Sequence, residues 1–449
     1  MMKTIILLTT LIAMPAIATE IKEVRLLTLD PAHFHASLVQ KKMYSQVNPV
    51  VHVYSPGGPD LDMHLKRIES FNTRADNPTR WQGKVYTGPD FLEKMLKEKS
   101  GNVVVISGNN AKKAKYILAC VQAGLNVLAD KPMAITPADF RLIEKAFIEA
   151  RNRGVFLYDI MTERYEIASI LQRALSRHAT VFGRMEDGSP DDPAITKESV
   201  HYFFKEVAGK PLIRPPWFFD VKQQGEGIAD VTTHLVDLIQ WECFPGQALH
   251  PREVTMLEAR RWTTAFTPAE FKKVTGIDQY PDYLKPCADK NNTLHIYCNG
   301  AFNYTLRGVN AKISVEWKFE APPGSGDTHY SMMRGTKAAL VIRQGKDQNY
   351  KPILYVEKRS RLSDEEFERA LRIALGKIVK DWPGVDVKKC ACGWEIIVPD
   401  EYKVGHEAHF SQVAEKYLAY LAAGKMTEWE VPNMLTKYST IMRAYHLSR

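Results

Sequence analysis

From Glu23 onward, short runs of consecutive apolar residues alternate with longer stretches whose apolar positions recur every three or four residues. The runs VRLLTL (24–29), NPVVHVYS (48–55), NVVVISG (102–108), NVLAD (126–130) and VFLYDI (155–160) predict strands. Between them FHASLVQKKMY (34–44), DFLEKMLKEK (90–99), AKKAKYILACVQAG (111–124) and TPADFRLIEKAFIEARNRG (136–154) predict helices. The last has a Thr at its N-cap, Pro137 in its first turn and Gly154 at its end, which are helix start and stop signals. Strands that are apolar on both faces belong in a parallel sheet covered by helices on each side. The expectation is a doubly wound, Rossmann-like α/β domain over residues 21–160.

After Tyr165 the rhythm changes to runs of strand-like segments: TVFGRMED, SVHYFFKEV, REVTMLEARRW, TLHIYCNGAFNYTLRG, AKISVEWKFE, KAALVIRQG and ILYVEKR. CNGAF offers an Asn-Gly hairpin turn. These predict an open, mostly antiparallel sheet in an α+β domain over residues 161–449. A helix and strand from 363 to 402 should extend that sheet, and two C-terminal helices should pack back on the first domain.

Composition adds bounds. The chain has 449 residues, 45% hydrophobic and 25% charged, which is ordinary globular composition with room for two or three domains. The net charge of +8 is spread along the chain and forms no basic arm, so no nucleic-acid partner is expected. The N-terminus MMKTIILLTTLIAMPAIATE has Lys3, an apolar stretch and then Ala16-Ile17-Ala18. It reads as a Sec-type signal peptide (residues 1–18) cleaved after Ala18, and implies a periplasmic or secreted protein with no membrane anchor. Six cysteines are too few for a disulfide scaffold, and Cys390-Ala-Cys392 alone is too little for a zinc site.

In a doubly wound sheet, ligands lie at the carboxyl ends of the strands. After the first strand a dinucleotide fold normally has a glycine-rich turn, whereas this chain reads LDPAHFHA (29–36) with no glycine. The second strand ends in YSPGG with no acidic residue, which leaves NAD against NADP open. A second feature lies in GEGIADVTTHLVDLIQW (225–241). Read as one helix, it places Asp230, His234 and Asp237 within roughly a 60° arc, with apolar residues around the remainder. A buried helix with two carboxylates and an imidazole in one stripe must face a polar cleft or a partner charge.

NVLADKPMAIT resembles the E-K-P segment of the Gfo/Idh/MocA oxidoreductases, with Asp130 in place of the Glu. G-x-G followed by Asp230, His234 and Asp237 resembles that family's second-domain motif, and MTERY (161–165) its Arg-containing crossover. The resemblance implies an NAD-type cofactor between the two domains. Lys131 corresponds to the active-site lysine, and Asp230 and His234 to the substrate-side acid/base pair. His234 would remove a hydroxyl proton, Asp230 would orient the imidazole, and Lys131 would steady the alkoxide. Candidates to hold the cofactor are Pro31, His33, Phe34, Ser55, Ser107, Asn109, Asp130, Lys131 and Arg164. His33 and His35 could touch cofactor or metal, or simply stand at a helix start, and no metal is expected. Tyr158 and Trp217 could floor a sugar site. Asp237 completes the substrate-side stripe, or bonds an Arg and holds its helix.

Outside the cytoplasm no nicotinamide pool is at hand, so an exported enzyme should keep its cofactor bound. The expectation is an NAD(P)-dependent oxidoreductase acting on a sugar or glycoside hydroxyl, C3 among the candidates, as a homo-oligomer. One alternative uses the same redox step transiently to cleave a glycosidic bond. Another is a non-catalytic sugar-binding protein that has lost the cofactor.

Overall fold

A computed structural model describes residues 20–207 and 210–449, so the expected signal peptide lies outside the described residues. The first half is β1 (Leu26–Leu29), α1 (His35–Leu38), β2 (Val50–Ser55), α2 (Pro59–Thr73), β3 (Gln82–Thr87), α3 (Phe91–Glu98), β4 (Val103–Ile106), α4 (Asn110–Gln122), β5 (Asn126–Asp130), α5 (Pro137–Arg153) and β6 (Leu157–Ile160). The strands form a parallel sheet in the order β3-β2-β1-β4-β5-β6, which is the doubly wound order with its switch point between β1 and β4. The registers Leu29↔Tyr54, Leu29↔Ile106 and Ile106↔Ala129 align the strand ends. Asp30, Ser55, Ser107 and Asp130 therefore follow in one row.

α6 (Ile167–Ser176) leads into the second half. This comprises β7 (Ile195–Phe204), a small ribbon of β8 (Glu206–Val207) and β9 (Lys210–Pro211), α7 (Thr232–Cys243), β10 (Val254–Phe266), α8 (Pro268–Thr275), β11 (Leu294–Leu306), β12 (Val309–Glu320), β13 (Thr328–Arg334), β14 (Ala338–Arg343), β15 (Ile353–Lys358), α9 (Asp364–Ile378), β16 (Asp386–Cys390) and β17 (Gly393–Ile397). Nine of these strands form one sheet, ordered β10-β11-β12-β7-β13-β14-β15-β17-β16, in which β12 and β7 run parallel and the other described pairs antiparallel. The chain ends in α10 (His406–Ala423) and α11 (Glu430–Leu447). Phe410, Val413 and Tyr417 of α10 and Tyr438 of α11 complete the first-half core, while Ile441 and Ala444 of α11 enter the core under β10–β12. One helix thus holds both halves. No helix among the described residues is long and apolar enough to cross a membrane.

Four expectations change. The helix over 34–44 shrinks to His35–Leu38, because side chains take the carbonyls that would continue it: Trp81 Nε1 donates to Gln40 O (2.7 Å) and Arg74 Nη2 to Lys41 O (2.7 Å). TVFGRMED is not a strand but a loop with one bridge, Met185 to Gly335. Asn299-Gly300 is no turn and lies inside β11, where Asn299 accepts from Trp317 N at 2.6 Å and donates to Thr264 Oγ1 at 2.9 Å. The turn falls instead at Arg307-Gly308, both at positive φ (52° and 85°), as a two-residue hairpin requires. Finally, α7 begins at Thr232, so Asp230 sits on the turn that leads into it.

Candidate active site

The row of strand ends carries the first wall. Asp30 takes positive φ (46°), and its carboxylate accepts from Lys112 Nζ at 3.1 Å and Tyr116 Oη at 2.9 Å, so its charge is compensated. The N–H groups of Ala32 and His33 both donate to Ser107 O at 3.3 Å. Gly108 allows this closeness: a Cβ there would stand 2.4 Å from Asp30 O. Ser55 Oγ accepts from Gly57 N (3.1 Å), Ser107 Oγ donates to Asp130 Oδ2 (2.9 Å), and Asn109 caps α4 while donating to Gln223 Oε1 (2.7 Å). Pro31 is buried. Of the expected cofactor contacts, His33, Phe34 and Lys131 face the cleft, and Ser55, Ser107 and Asn109 use their side chains within the protein.

From the end of β5, Lys131 Nζ reaches across and donates to Asp230 Oδ1 at 2.7 Å. The glycines before Asp230 fix that reach. Gly227 packs against β11 so closely that a Cβ would lie 1.8 Å from Cys298 O. Asp230 Oδ2 accepts from Gln224 Nε2 at 3.1 Å, so the carboxylate serves Lys131 and Gln224 and does not orient His234, contrary to the sequence expectation. Burial opposes ionisation of Asp230, but the Lys131 ammonium and the two hydrogen bonds hold its carboxyl below the usual range. His234 lines the same cleft with Nδ1 unpartnered. Burial, helped by the Lys131 charge, lowers its pKa to about 3, so the imidazole is neutral.

Four expected ligand contacts are instead structural. Asp237 is 2% exposed in side chain and takes Arg164 in a fork, Nε to Oδ2 at 2.6 Å and Nη2 to Oδ1 at 2.7 Å, with Lys437 Nζ at 2.9 Å. Both oxygens are used, so no substrate contact remains. Arg164 is spent on Asp237 and on Glu430 (3.0 Å), so it does not hold a cofactor. Tyr158 is 3% exposed, bonds Glu430 Oε1 (3.3 Å) and stacks on Tyr417 in the first core. Trp217 likewise belongs to the second core, and its neighbour Phe218 lines the cleft instead.

The cleft encloses about 430 Å³ and is lined by seven of the chain's thirteen histidines, His33, His35, His201, His234, His329, His406 and His409. The sequence reading missed most of its far wall. On β7, Ser199 and His201 share a face, with Ser199 Oγ 2.6 Å from His201 Nε2 and His201 Nδ1 2.9 Å from Asp327 Oδ2. Lys205 Nζ lies 2.5 Å from Asp327, and His201 stacks on Trp317. Glu163 enters from the crossover, with His406 Nδ1 3.6 Å from its carboxylate. His406 and His409, three apart at the start of α10, share one helix face, which was the one readable signal.

Residues 171–449 match the family described as "Putative oxidoreductase C terminal domain", and residues 45–158 match "Oxidoreductase family, NAD-binding Rossmann fold" of the GFO_IDH_MocA type. A crystal structure described as a putative oxidoreductase from Parabacteroides merdae is 54% identical, with TM-score 0.93 over 96% of this chain and 98% of that one. The chain belongs to the Gfo/Idh/MocA oxidoreductase family. A 3-ketoreductase from Actinomadura kijaniata, solved with NADP and TDP-benzene, shares the fold at 12% identity, with TM-score 0.58 over 95% of this chain and 98% of that one. The trans-1,2-dihydrobenzene-1,2-diol dehydrogenase of Macaca fuscata fuscata is 25% identical over 217 residues. That stretch is 48% of this chain and 54% of that enzyme, so the likeness spans about half the length of each.

As a Gfo/Idh/MocA oxidoreductase with an NAD-binding Rossmann domain, the protein takes NAD(P) as its cofactor. The residues present fit that group along the strand ends, since the Asp30 charge is neutralised and the crevice at the switch point opens into the cleft. The phosphate cradle is built differently. The β1–α1 loop lies before the matched stretch, has no glycine, and gives two of its N–H groups to Ser107 O. His33, Phe34 and Lys131 are the side chains placed to hold the nicotinamide end. When bound, the cofactor supplies the hydride acceptor or donor.

Proposed function

We propose that this oxidoreductase oxidises a secondary hydroxyl of a sugar or glycoside, C3 the first candidate, in an exported compartment with a resident nicotinamide. The observation that carries the reading is the Lys131–Asp230 contact of 2.7 Å between the halves, in a cleft with room for a ring and beside a neutral His234. The His234 imidazole, which lines the cleft in its neutral form, accepts the hydroxyl proton, a role in general worth about 10²–10⁴-fold in rate. Lys131, oriented by Asp230, whose other oxygen accepts from Gln224, donates a hydrogen bond to the developing alkoxide. Phe34 and Phe218 offer apolar faces to sugar C–H groups. The likeness to a ketoreductase and a diol dehydrogenase supports hydroxyl–carbonyl chemistry.

Mass spectrometry of the denatured, freshly purified protein tests the resident cofactor, with NAD(H) or NADP(H) expected. Product analysis on a glycoside panel then tests the reaction. A product two hydrogens lighter, with the aglycone retained, is expected. Aglycone release would favour redox-assisted cleavage, and no nicotinamide with bound sugar would favour a binding protein.

A further inference from the structure

The β1–α1 loop that lacks glycines carries His33-Phe34-His35, and both imidazoles converge on Asp130 at the end of β5. The two rings lie 4.1 Å apart. His35 Nδ1 is 2.9 Å and His33 Nδ1 3.7 Å from Asp130 Oδ2, and one ligand atom from each of the three residues lies within 4.8 Å of the other two. Ligands about 2.1 Å from a shared ion stand roughly 3–3.5 Å from one another, so small ring rotations bring these groups to coordination distance. Among the described residues this is the one group of three metal-competent side chains so placed.

A second observation points to a guest. Asp130 is 3% exposed, and its Oδ1 has no hydrogen-bond partner, an arrangement that costs stability unless something fills it. A cavity of about 20 Å³ lies against it, bounded by His33, His35, Asn110, Lys131 and Asp230. That is room for a single ion or water. Lys113 Nζ, in the same buried shell, is committed to Asn110 Oδ1 (2.6 Å) and the main-chain oxygen of Asp130 (3.0 Å), which leaves the carboxylate to the histidines and to Ser107 Oγ, whose bond is to Oδ2.

We infer that His33, His35 and Asp130 form a site for one divalent transition-metal ion, with its open positions facing Lys131 and Asp230. Two imidazoles and one carboxylate select zinc, iron, manganese or cobalt over the all-oxygen preference of magnesium and calcium. The ion sits at the end of β1, where other Rossmann domains present amide N–H groups of a glycine-rich turn to an anion. It brings to that place the positive charge the loop's amides do not offer. An oxygen of whatever enters the cleft completes its coordination.

The test uses the full chain, stripped with a chelator and titrated with Zn²⁺ by calorimetry, with bound metal counted by mass spectrometry. One ion per chain is expected. His33→Ala and His35→Ala should each weaken binding by at least roughly tenfold, with circular dichroism unchanged. Should either variant unfold, Co²⁺ added to the unaltered protein gives the reading: visible d–d bands that Zn²⁺ displaces are expected. No stoichiometric binding, binding unmoved by both substitutions, or absent Co²⁺ bands would each overturn the site. No nicotinamide is added in the titration and the readout is bound metal, so nicotinamide released on denaturation together with absent metal binding sinks this inference alone.

Discussion

His64 on α2 is 3% exposed, and neither ring nitrogen has a partner. Burial, then the Arg67 charge, lowers its pKa to about 4. The unfolded chain, with an ordinary value near 6.5, binds the extra proton between those limits, so stability is lost as pH falls from about 6.5 towards 4. His64→Leu should therefore gain about 2 kcal/mol more at pH 5 than at pH 8, read as a shift of the urea midpoint. An equal shift at both pH values would show that the imidazole charges freely in the fold. In the cleft, His234 is neutral down to about pH 3, so no activity limb near pH 6.5 should be traceable to it. A kcat/KM limb near that pH that vanishes in His234→Gln would contradict this. Lys131, Asp230 and His234 were legible in the sequence because short motifs fix them. Asp237 lies one turn beyond His234, yet its fate depends on Arg164 and on Lys437, 200 residues away. No local spacing reports that.

At the scale of elements, the buried network of Arg164, Asp237, Glu430, Lys437 and Asp159 ties the crossover, α7, α11 and the end of β6 together. Arg164→Ala leaves Glu430 without its cation and Asp237 with Lys437 alone, a loss of about 3–5 kcal/mol in urea denaturation. A raised KM with unchanged stability would restore Arg164 to the ligand site. Gly227→Ala should depress kcat while leaving secondary structure intact, because a Cβ there pushes the turn carrying Asp230 off β11. Unchanged kcat would mean the Lys131–Asp230 contact does not set the rate. The strands of the parallel sheet were readable because most are apolar on both faces. β3 was not, since as an edge strand it exposes nearly every residue. The Asn-Gly pair misled for a packing reason: Gly300 stands where a Cβ would come 2.8 Å from Ile228 Cβ, so the glycine serves close approach and not a turn.

The whole molecule is two sheets clamped by the C-terminal helices, with the cleft between them. α11 contributes to both cores, so removing residues 430–449 should expose both halves to limited proteolysis together. Protection of the first half alone would show that it stands without the clamp. The alternation of segments made the two-part architecture legible, whereas the cleft's far wall was not. It is assembled from β7, the approach to β13 and the start of α10, which meet only through the nine-stranded order and the return of the chain. The most direct test of the lysine–carboxylate couple and its imidazole follows the nicotinamide absorbance of the purified protein in a single turnover with a glycoside it oxidises. A burst stoichiometric with protein is predicted, slowed about 10²–10⁴-fold in Lys131→Ala and His234→Ala while both stay folded. A burst of unchanged rate in either variant would contradict it.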